Sequence, residues 1–125
     1  MSKRRVVVTG LGVISPLGND LASTWEGIVA GRSGIGPITH FDVSDFATRI
    51  AGEIRGFDPL QWVPAKDAKK MEPFIHYGVA ASMMALRDSG IEVTEANAER
   101  IGAILGSGIG GLLGIEQQTL RMHEG

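Results

Sequence analysis

Two uninterrupted apolar runs stand out from the pattern of hydrophobic and polar positions along the chain. Residues 6–9 read Val-Val-Val-Thr, and residues 101–105 read Ile-Gly-Ala-Ile-Leu. Neither run alternates apolar with polar side chains, so each predicts a strand that is apolar on both faces, which is typical of a parallel sheet covered by helices. Residues 49–54 predict a third, shorter strand.

Helical periodicity separates these predicted strands. The first helix is predicted by apolar positions spaced three and four apart, with Asn19 or Asp20 as its N-cap and Gly31 as its stop: Leu21, Thr24, Trp25, Ile28 and Val29. A second helix is predicted from Pro73 to Gly90, and a third begins near Leu112. Gly78 lies inside the second helix, and a helix or strand passing close by would explain a glycine there.

The order of these elements, β–α–(β)–α–β–α, predicts an α/β fold with parallel strands. Only two or three strands are visible, whereas strands that are apolar on both faces need helices above and below and further strands beside them. We therefore expect residues 1–125 to be the N-terminal portion of a larger, incomplete α/β domain.

Composition narrows the function classes. Glycine accounts for 18 of 125 residues, roughly twice its usual share, and indicates tight turns and close backbone contacts. Cysteine is absent, which excludes disulfides, cysteine-ligated metals and a thiol nucleophile within these residues. A net charge of −2 is unlike that of a strongly basic nucleic-acid module.

The targeting signals are weak. A basic start at residues 3–5 precedes the apolar residues 6–8 and imitates a secretory signal, but Gly10, Gly12 and Pro16 interrupt the run. No run of 18 apolar residues predicts a membrane span. We expect a cytoplasmic protein without a membrane partner.

The glycine-rich stretch at residues 106–111 fits the G-x-G-x-x-G pattern after a predicted strand and before a predicted helix. A dinucleotide site would also need an acidic residue about 20 positions further on, after a strand. Glu124 is near that distance but lies in the predicted helix. The stretch is therefore compatible with close packing, with a pocket of another type, or with a nucleotide-binding α/β enzyme.

Lys66, Lys69 and Lys70 are spaced to share one helical face, opposed locally only by Asp67. They form either an ordinary solvated face or a docking surface for an acidic partner. His40 and Asp42 offer two metal ligands without a suitably spaced third, so we predict no metal site. Ser107 lacks the G-x-S-x-G context of a hydrolase nucleophile.

Several short motifs stand in one order along the chain: R-R-V-V-V-T-G-L-G at 4–12, S-P-L-G-N at 15–19, G-R-S-G-I at 31–35, H-F-D at 40–42, and I-G-A leading into the glycine-rich stretch. Together they resemble the N-terminal segment of β-ketoacyl-acyl-carrier-protein synthases. Isoleucine at position 109 is more similar to the type II, elongating enzymes than to type I.

The resemblance implies a thiolase-like fold, in which two similar α/β halves form a five-layered α-β-α-β-α sandwich with a mostly parallel sheet, usually as a homodimer. It implies a decarboxylating Claisen condensation between an acyl thioester and malonyl-acyl-carrier protein in fatty acid elongation. The family uses a cysteine nucleophile and two histidines. None of His40, His76 or His123 matches those histidines, so we expect no catalytic residue in this chain and no activity from it alone.

The resemblance also assigns roles to residues that are present. Lys66, Lys69 and Lys70 match positions that face the acyl carrier protein, and Ile109 matches a residue that lines the acyl pocket near the dimer interface and gates chain entry. Gly108 belongs to the same substrate-binding loop. No cofactor is implied, because the carrier protein itself bears the phosphopantetheine. The alternatives are a non-catalytic carrier-protein-binding module and the nucleotide-binding enzyme.

Overall fold

The computed structural model describes residues 3–124, which contain four helices and one two-stranded sheet. The elements are α1 (Leu21–Val29), β1 (Ile35–Pro37), β2 (Ile50–Gly52), α2 (Ala65–Ala68), α3 (Pro73–Ser89) and α4 (Leu112–Glu124). Single 3₁₀ turns occupy Pro59–Gln61 and Ala98–Arg100. The three longer helices confirm the helices predicted from hydrophobic periodicity, and β2 lies within the predicted residues 49–54.

Helix α1 begins and ends as its capping residues predict. The Asp20 carboxylate accepts a hydrogen bond of 2.7 Å from the Ser23 N–H, and Gly31 has φ of 65°, a left-handed conformation that favours glycine. Thr24 is buried, but Trp25 remains 62% exposed. The apolar stripe therefore forms as predicted along the helix, but most of it is not covered by the described residues.

Helix α3 is the longest helix, and two early glycines lie against its backbone. It begins at Pro73 and ends at Gly90, whose φ of 65° makes it a left-handed C-cap. A Cβ on Gly10 would collide with the Ala85 carbonyl oxygen, and one on Gly12 with that of Ala81. The glycines that follow residues 6–9 thus allow the chain to pass directly over α3.

The sheet of the described residues is antiparallel, with Ile35 opposite Gly52 and Pro37 opposite Ile50. This differs from the parallel strands predicted at 6–9 and 101–105, since the structure assigns no strand to either segment. Val6 is 90% exposed and Ile104 fully exposed. A β-strand forms only where a second strand pairs with its backbone N–H and C=O groups. The β propensity of these two segments does not provide that second strand.

The buried apolar side chains of the described part are small and few: Val63, Ala68 and Ala80. They come from the turn and short helix before α3 and from α3 itself. The Arg87 guanidinium lies over the Trp62 ring at 5.1 Å, and Phe57 packs edge-to-face on Tyr77 at 5.1 Å between ring centroids. Residues 57–68 therefore pack along α3. No helix in residues 3–124 has the length and apolar character needed to cross a bilayer.

Candidate functional site: a lysine segment and a glycine-rich loop beside α3

The three predicted docking lysines lie together on one exposed turn. Lys66 is in α2, and Lys69 caps the helix with right-handed backbone angles of −65° and −17°. The Lys70 N–H continues the turn by donating to the Asp67 carbonyl oxygen at 2.9 Å. All three lysines are exposed. We call residues 65–70 the lysine segment; it carries three exposed cations within six residues of helix and turn.

Buried residues and a hydrogen bond from α3 hold the backbone of the lysine segment in place. Val63 before it and Ala68 within it are buried at 8% and 9% exposure. The Ala68 carbonyl oxygen accepts a 3.0 Å hydrogen bond from His76 Nε2 on α3. The exposed lysine side chains therefore extend from a backbone that is packed against the long helix.

The predicted substrate-binding residues Gly108 and Ile109 lie in the loop before α4. Ile109 has φ of 32°, which is unusual for a β-branched residue, and its side chain is 82% exposed. Gly110 follows with φ of 77°, and its N–H donates to the Gly108 carbonyl oxygen. The structure thus places Ile109 at the tip of a tight turn, on the surface of the described residues.

An apolar cavity of about 440 Å³ opens beside the first half of this loop. Its walls include Ile14, Phe74, Gly78, Leu105, Gly106 and Ser107. A volume of this size is within the usual range for small-molecule pockets. Sequence reasoning did not identify Phe74 or Gly78 as lining residues. The sequence feature that could have indicated this wall of the cavity is Gly78, a glycine inside a helix. A Cβ at Gly78 would lie 3.4 Å from the Leu105 side chain.

The first turn of α3 connects the loop with the lysine segment. A Cβ on Gly110 would lie 3.2 Å from the Phe74 ring, and one on Gly111 would lie 2.8 Å from Glu72 Cγ. Glu72 and Phe74 follow Lys70 within four residues, a span of at most about 14 Å of extended chain. The structure therefore brings the two predicted sites to the same end of α3.

A buried carboxylate organises the strands beside this end. Glu53 accepts hydrogen bonds from the Thr39 N–H at 2.7 Å and the Thr39 hydroxyl at 2.9 Å. The Thr39 N–H is the main reason that the pKa of Glu53 is below its ordinary value. His40 Nε2 lies 3.7 Å and Arg55 Nη2 3.8 Å from the same carboxylate. The Glu53 carboxylate, directly after β2, thus binds Thr39, which lies two residues after the end of β1.

The potential metal ligands His40 and Asp42 have other contacts. His40 faces Glu53, while Asp42 accepts a 3.0 Å hydrogen bond from the Ser44 N–H. That N–H lowers the pKa of Asp42 by stabilising its ionised form. Within the part of the chain that the structure describes, no three His, Asp or Glu side chains group as metal ligands.

The chain is similar to known proteins over nearly all of its length. The family model described as "Beta-ketoacyl synthase, N-terminal domain" matches residues 3–125. The chain is 59% identical over 116 residues to 3-oxoacyl-[acyl-carrier-protein] synthase 2 of Vibrio cholerae, covering 93% of this chain and 28% of that protein. It is 49% identical over 126 residues to the enzyme of the same name from Synechocystis, covering 100% and 30%.

A solved structure gives the corresponding three-dimensional match. The ishigamide ketosynthase/chain length factor superposes with a TM-score of 0.63 at 42% identity, covering 73% of this chain and 23% of that one. The chain thus spans less than a third of the length of each of these relatives.

Proposed function

Because this chain belongs to the β-ketoacyl synthase family, as its motifs predicted, we propose that it forms the N-terminal part of an elongating condensing enzyme of fatty acid synthesis. The reaction joins an acyl thioester to malonyl-acyl-carrier protein. A cysteine thiolate takes the acyl group and releases the carrier thiol. The malonyl group then loses CO₂, and its carbanion attacks the acyl carbon to give the 3-oxoacyl product and free the cysteine.

The proposed contribution of this chain is to receive the carrier protein and to shape the acyl path. The observation that carries the proposal is the lysine segment, in which Lys66, Lys69 and Lys70 are exposed while Ala68 beneath them is buried. A fixed positive surface of this kind accelerates and orients the encounter with an acidic protein. The carrier brings its own phosphopantetheine arm, so the proposal needs no cofactor on the enzyme.

The loop at Gly108 and Ile109 is proposed to gate the acyl chain. The left-handed φ at Ile109 and Gly110 holds the isoleucine at the tip of a turn. Backbone strain of this kind accompanies segments that switch conformation at functional sites. The apolar cavity beside Gly106 and Ser107 offers an aliphatic chain a matching surface.

The reacting groups of this proposal lie outside the chain. The sequence contains no cysteine, and none of His40, His76 and His123 matches a family catalytic histidine. The 125 residues alone are therefore expected to decarboxylate malonyl-carrier protein only at the background rate. Turnover clearly above a no-protein blank would contradict this assignment.

The chain shares the thiolase-like α/β fold of ketosynthases. We propose further that residues 6–9 and 101–105 are strands of a mostly parallel sheet in the five-layered sandwich. Their exposed apolar side chains and the close contact between Gly12 and α3 support this arrangement. The complete enzyme is proposed to be a cytoplasmic homodimer.

Calorimetry of the intact protein, meaning the complete protein of which these 125 residues are the proposed N-terminal part, with holo acyl carrier protein tests the docking role. The triple variant Lys66→Glu/Lys69→Glu/Lys70→Glu should weaken binding about tenfold or more at low salt, and added salt should reduce the difference. Arg121→Glu on α4 is the charge control and should bind as the unaltered protein does. Equal affinity of the triple variant and the unaltered protein would refute the docking surface.

A second candidate is a non-catalytic module that binds carrier protein through the same lysines. The exposed lysine segment is the observation behind it, since it would bind a carrier protein without any catalytic group. Carrier binding occurs in both cases, so the distinguishing measurement is condensation by the intact protein. Formation of 3-oxoacyl-carrier protein supports the enzyme, whereas binding without any product supports the module.

A further inference from the structure

The three cations of the lysine segment lie in and directly after α2, a helix too short to be stable by itself. Helix α2 has four residues, and its N-cap is Pro64, which provides no side-chain hydrogen bond. A single helical turn fixes several backbone dihedrals for very few hydrogen bonds, so it forms only where tertiary contacts support it. The directions of Lys69 and Lys70 therefore depend on what holds the C-terminal end of α2.

One side chain from α3 contacts that end. His76 Nε2 lies 3.0 Å from the Ala68 carbonyl oxygen, across eight positions of sequence. A carbonyl oxygen can only accept, so the imidazole donates from Nε2–H. The other hydrogen bond to this oxygen is a long one of 3.3 Å from the Met71 N–H. The hydrogen bond from His76 is thus the shorter of the two that the last carbonyl oxygen of α2 accepts.

The position of this carbonyl makes the contact relevant to the lysines. Ala68 is buried and Lys69 follows it directly, while the Lys70 N–H is bonded to Asp67 on the same turn. Movement of the Ala68 peptide would rotate both lysines relative to α3. Preorganised side chains bind more tightly because less conformational entropy is lost on association.

We propose that His76 is a positioning residue for the docking surface, which holds Lys69 and Lys70 in their binding orientation through the Ala68 carbonyl. This inference rests on the proposed carrier-protein docking. His76 itself acts through the backbone and has no part in the condensation chemistry.

Conservative and disruptive substitutions separate positioning from general folding. His76→Leu fills similar space without a donor and should weaken holo carrier-protein binding by the intact protein about three- to tenfold. His76→Gln presents an N–H at a similar reach and should restore affinity to within about twofold. His123→Leu on α4 is the matched histidine control and should leave affinity unchanged. Circular dichroism melting of each variant checks that it is folded.

A double-mutant comparison distinguishes this inference from the docking proposal. In the Lys66→Glu/Lys69→Glu/Lys70→Glu background, His76→Leu should cost no further affinity, because the lysines through which it acts are gone. An equal loss in both backgrounds, or failure of His76→Gln to restore binding, would overturn the positioning role. A lysine variant that binds normally would instead refute the docking surface itself.

Discussion

The Leu11 backbone N–H donates a 2.8 Å hydrogen bond to Asp88 Oδ2, joining residues 77 positions apart. The bond holds the first glycine turn on the C-terminal end of α3. On either side of it, Gly10 and Gly12 lie so close to α3 that a Cβ would collide with carbonyl oxygens of that helix. The Asp88 carboxylate and the lack of a Cβ at Gly10 and Gly12 thus allow residues 10–12 to pack directly against α3.

Substitution of Gly12 by alanine should destabilise the protein by roughly 1–3 kcal/mol or more, because the added methyl would overlap the backbone of α3. The Ala81 carbonyl oxygen cannot move aside without disturbing the helix. Urea unfolding followed by circular dichroism measures the free energy of unfolding.

Gly78→Ala is the matched control for this substitution. Its methyl would lie 3.4 Å from the end of the Leu105 side chain, an ordinary contact, inside a helix where alanine is favoured by about 1 kcal/mol. It should be neutral or stabilising. Equal losses from the two substitutions would show that the close contact at Gly12 is not what requires glycine there.

Removal of the α1 cap by Asp20→Ala should cost about 1 kcal/mol, since the Ser23 N–H and hydroxyl would lose their acceptor. Asp20→Asn keeps an oxygen at the same position and should cost less. Thermal melts of the three proteins provide the comparison. A loss from Asp20→Asn as large as that from Asp20→Ala would point to the charge rather than to the cap.

Protonation of Glu53 should destabilise the protein in acid. Hydrogen bonding by Thr39 holds the pKa of Glu53 below its ordinary value of 4.5. Because the folded-state pKa is depressed, the stabilising contribution is fully present above the ordinary value. It is lost as the pH falls from about 4.5 through the lower folded-state pKa. Unfolding free energies measured across this range should therefore fall as the pH falls.

Glu53→Gln isolates this contribution. The Thr39 N–H and hydroxyl bind different oxygens of the carboxylate, and glutamine replaces one of those oxygens by an NH2 donor. The variant should be less stable at neutral pH, and its stability should fall less steeply in acid. A pH profile parallel to that of the unaltered protein would assign the acid sensitivity to other carboxyl groups.

Enlargement of the proposed gate by Ile109→Phe should block long acyl chains while sparing short ones in the complete enzyme. The ring would occupy volume that a long chain needs, but it would leave a short chain room to reach the nucleophile. Condensation rates against a series of acyl-carrier-protein lengths measure the effect. Ile109→Val is the control, and an unchanged chain-length profile for Ile109→Phe would contradict the pocket assignment.

Local chemistry accounts for what could be predicted. The hydrogen bond from Ser23 to Asp20, the left-handed Gly90 and the proline at position 73 each act within a few residues of a helix end. The residues next to a helix end therefore specify that end. The order of short motifs likewise identified the family, and the lysine spacing predicted a shared face.

Contacts between distant residues account for what could not be predicted. The β-branched residues 6–9 favour an extended chain, yet their own pattern does not specify a partner strand. In residues 3–124 the paired strands are β1 and β2, and residues 6–9 are not among them. The periodicity of Trp25 marked a stripe of α1 without showing what would cover it.

The sequence by itself determined the ends of α1 and α3, the family, and the residue types available for the proposed docking and gating. Only the tertiary structure decided that the lysine segment and the glycine-rich loop share one end of α3, and that His76 supports the Ala68 carbonyl. The physical reason is range: caps and helical faces depend on neighbours up to four residues apart, whereas packing joins residues whose proximity exists only after the chain has folded.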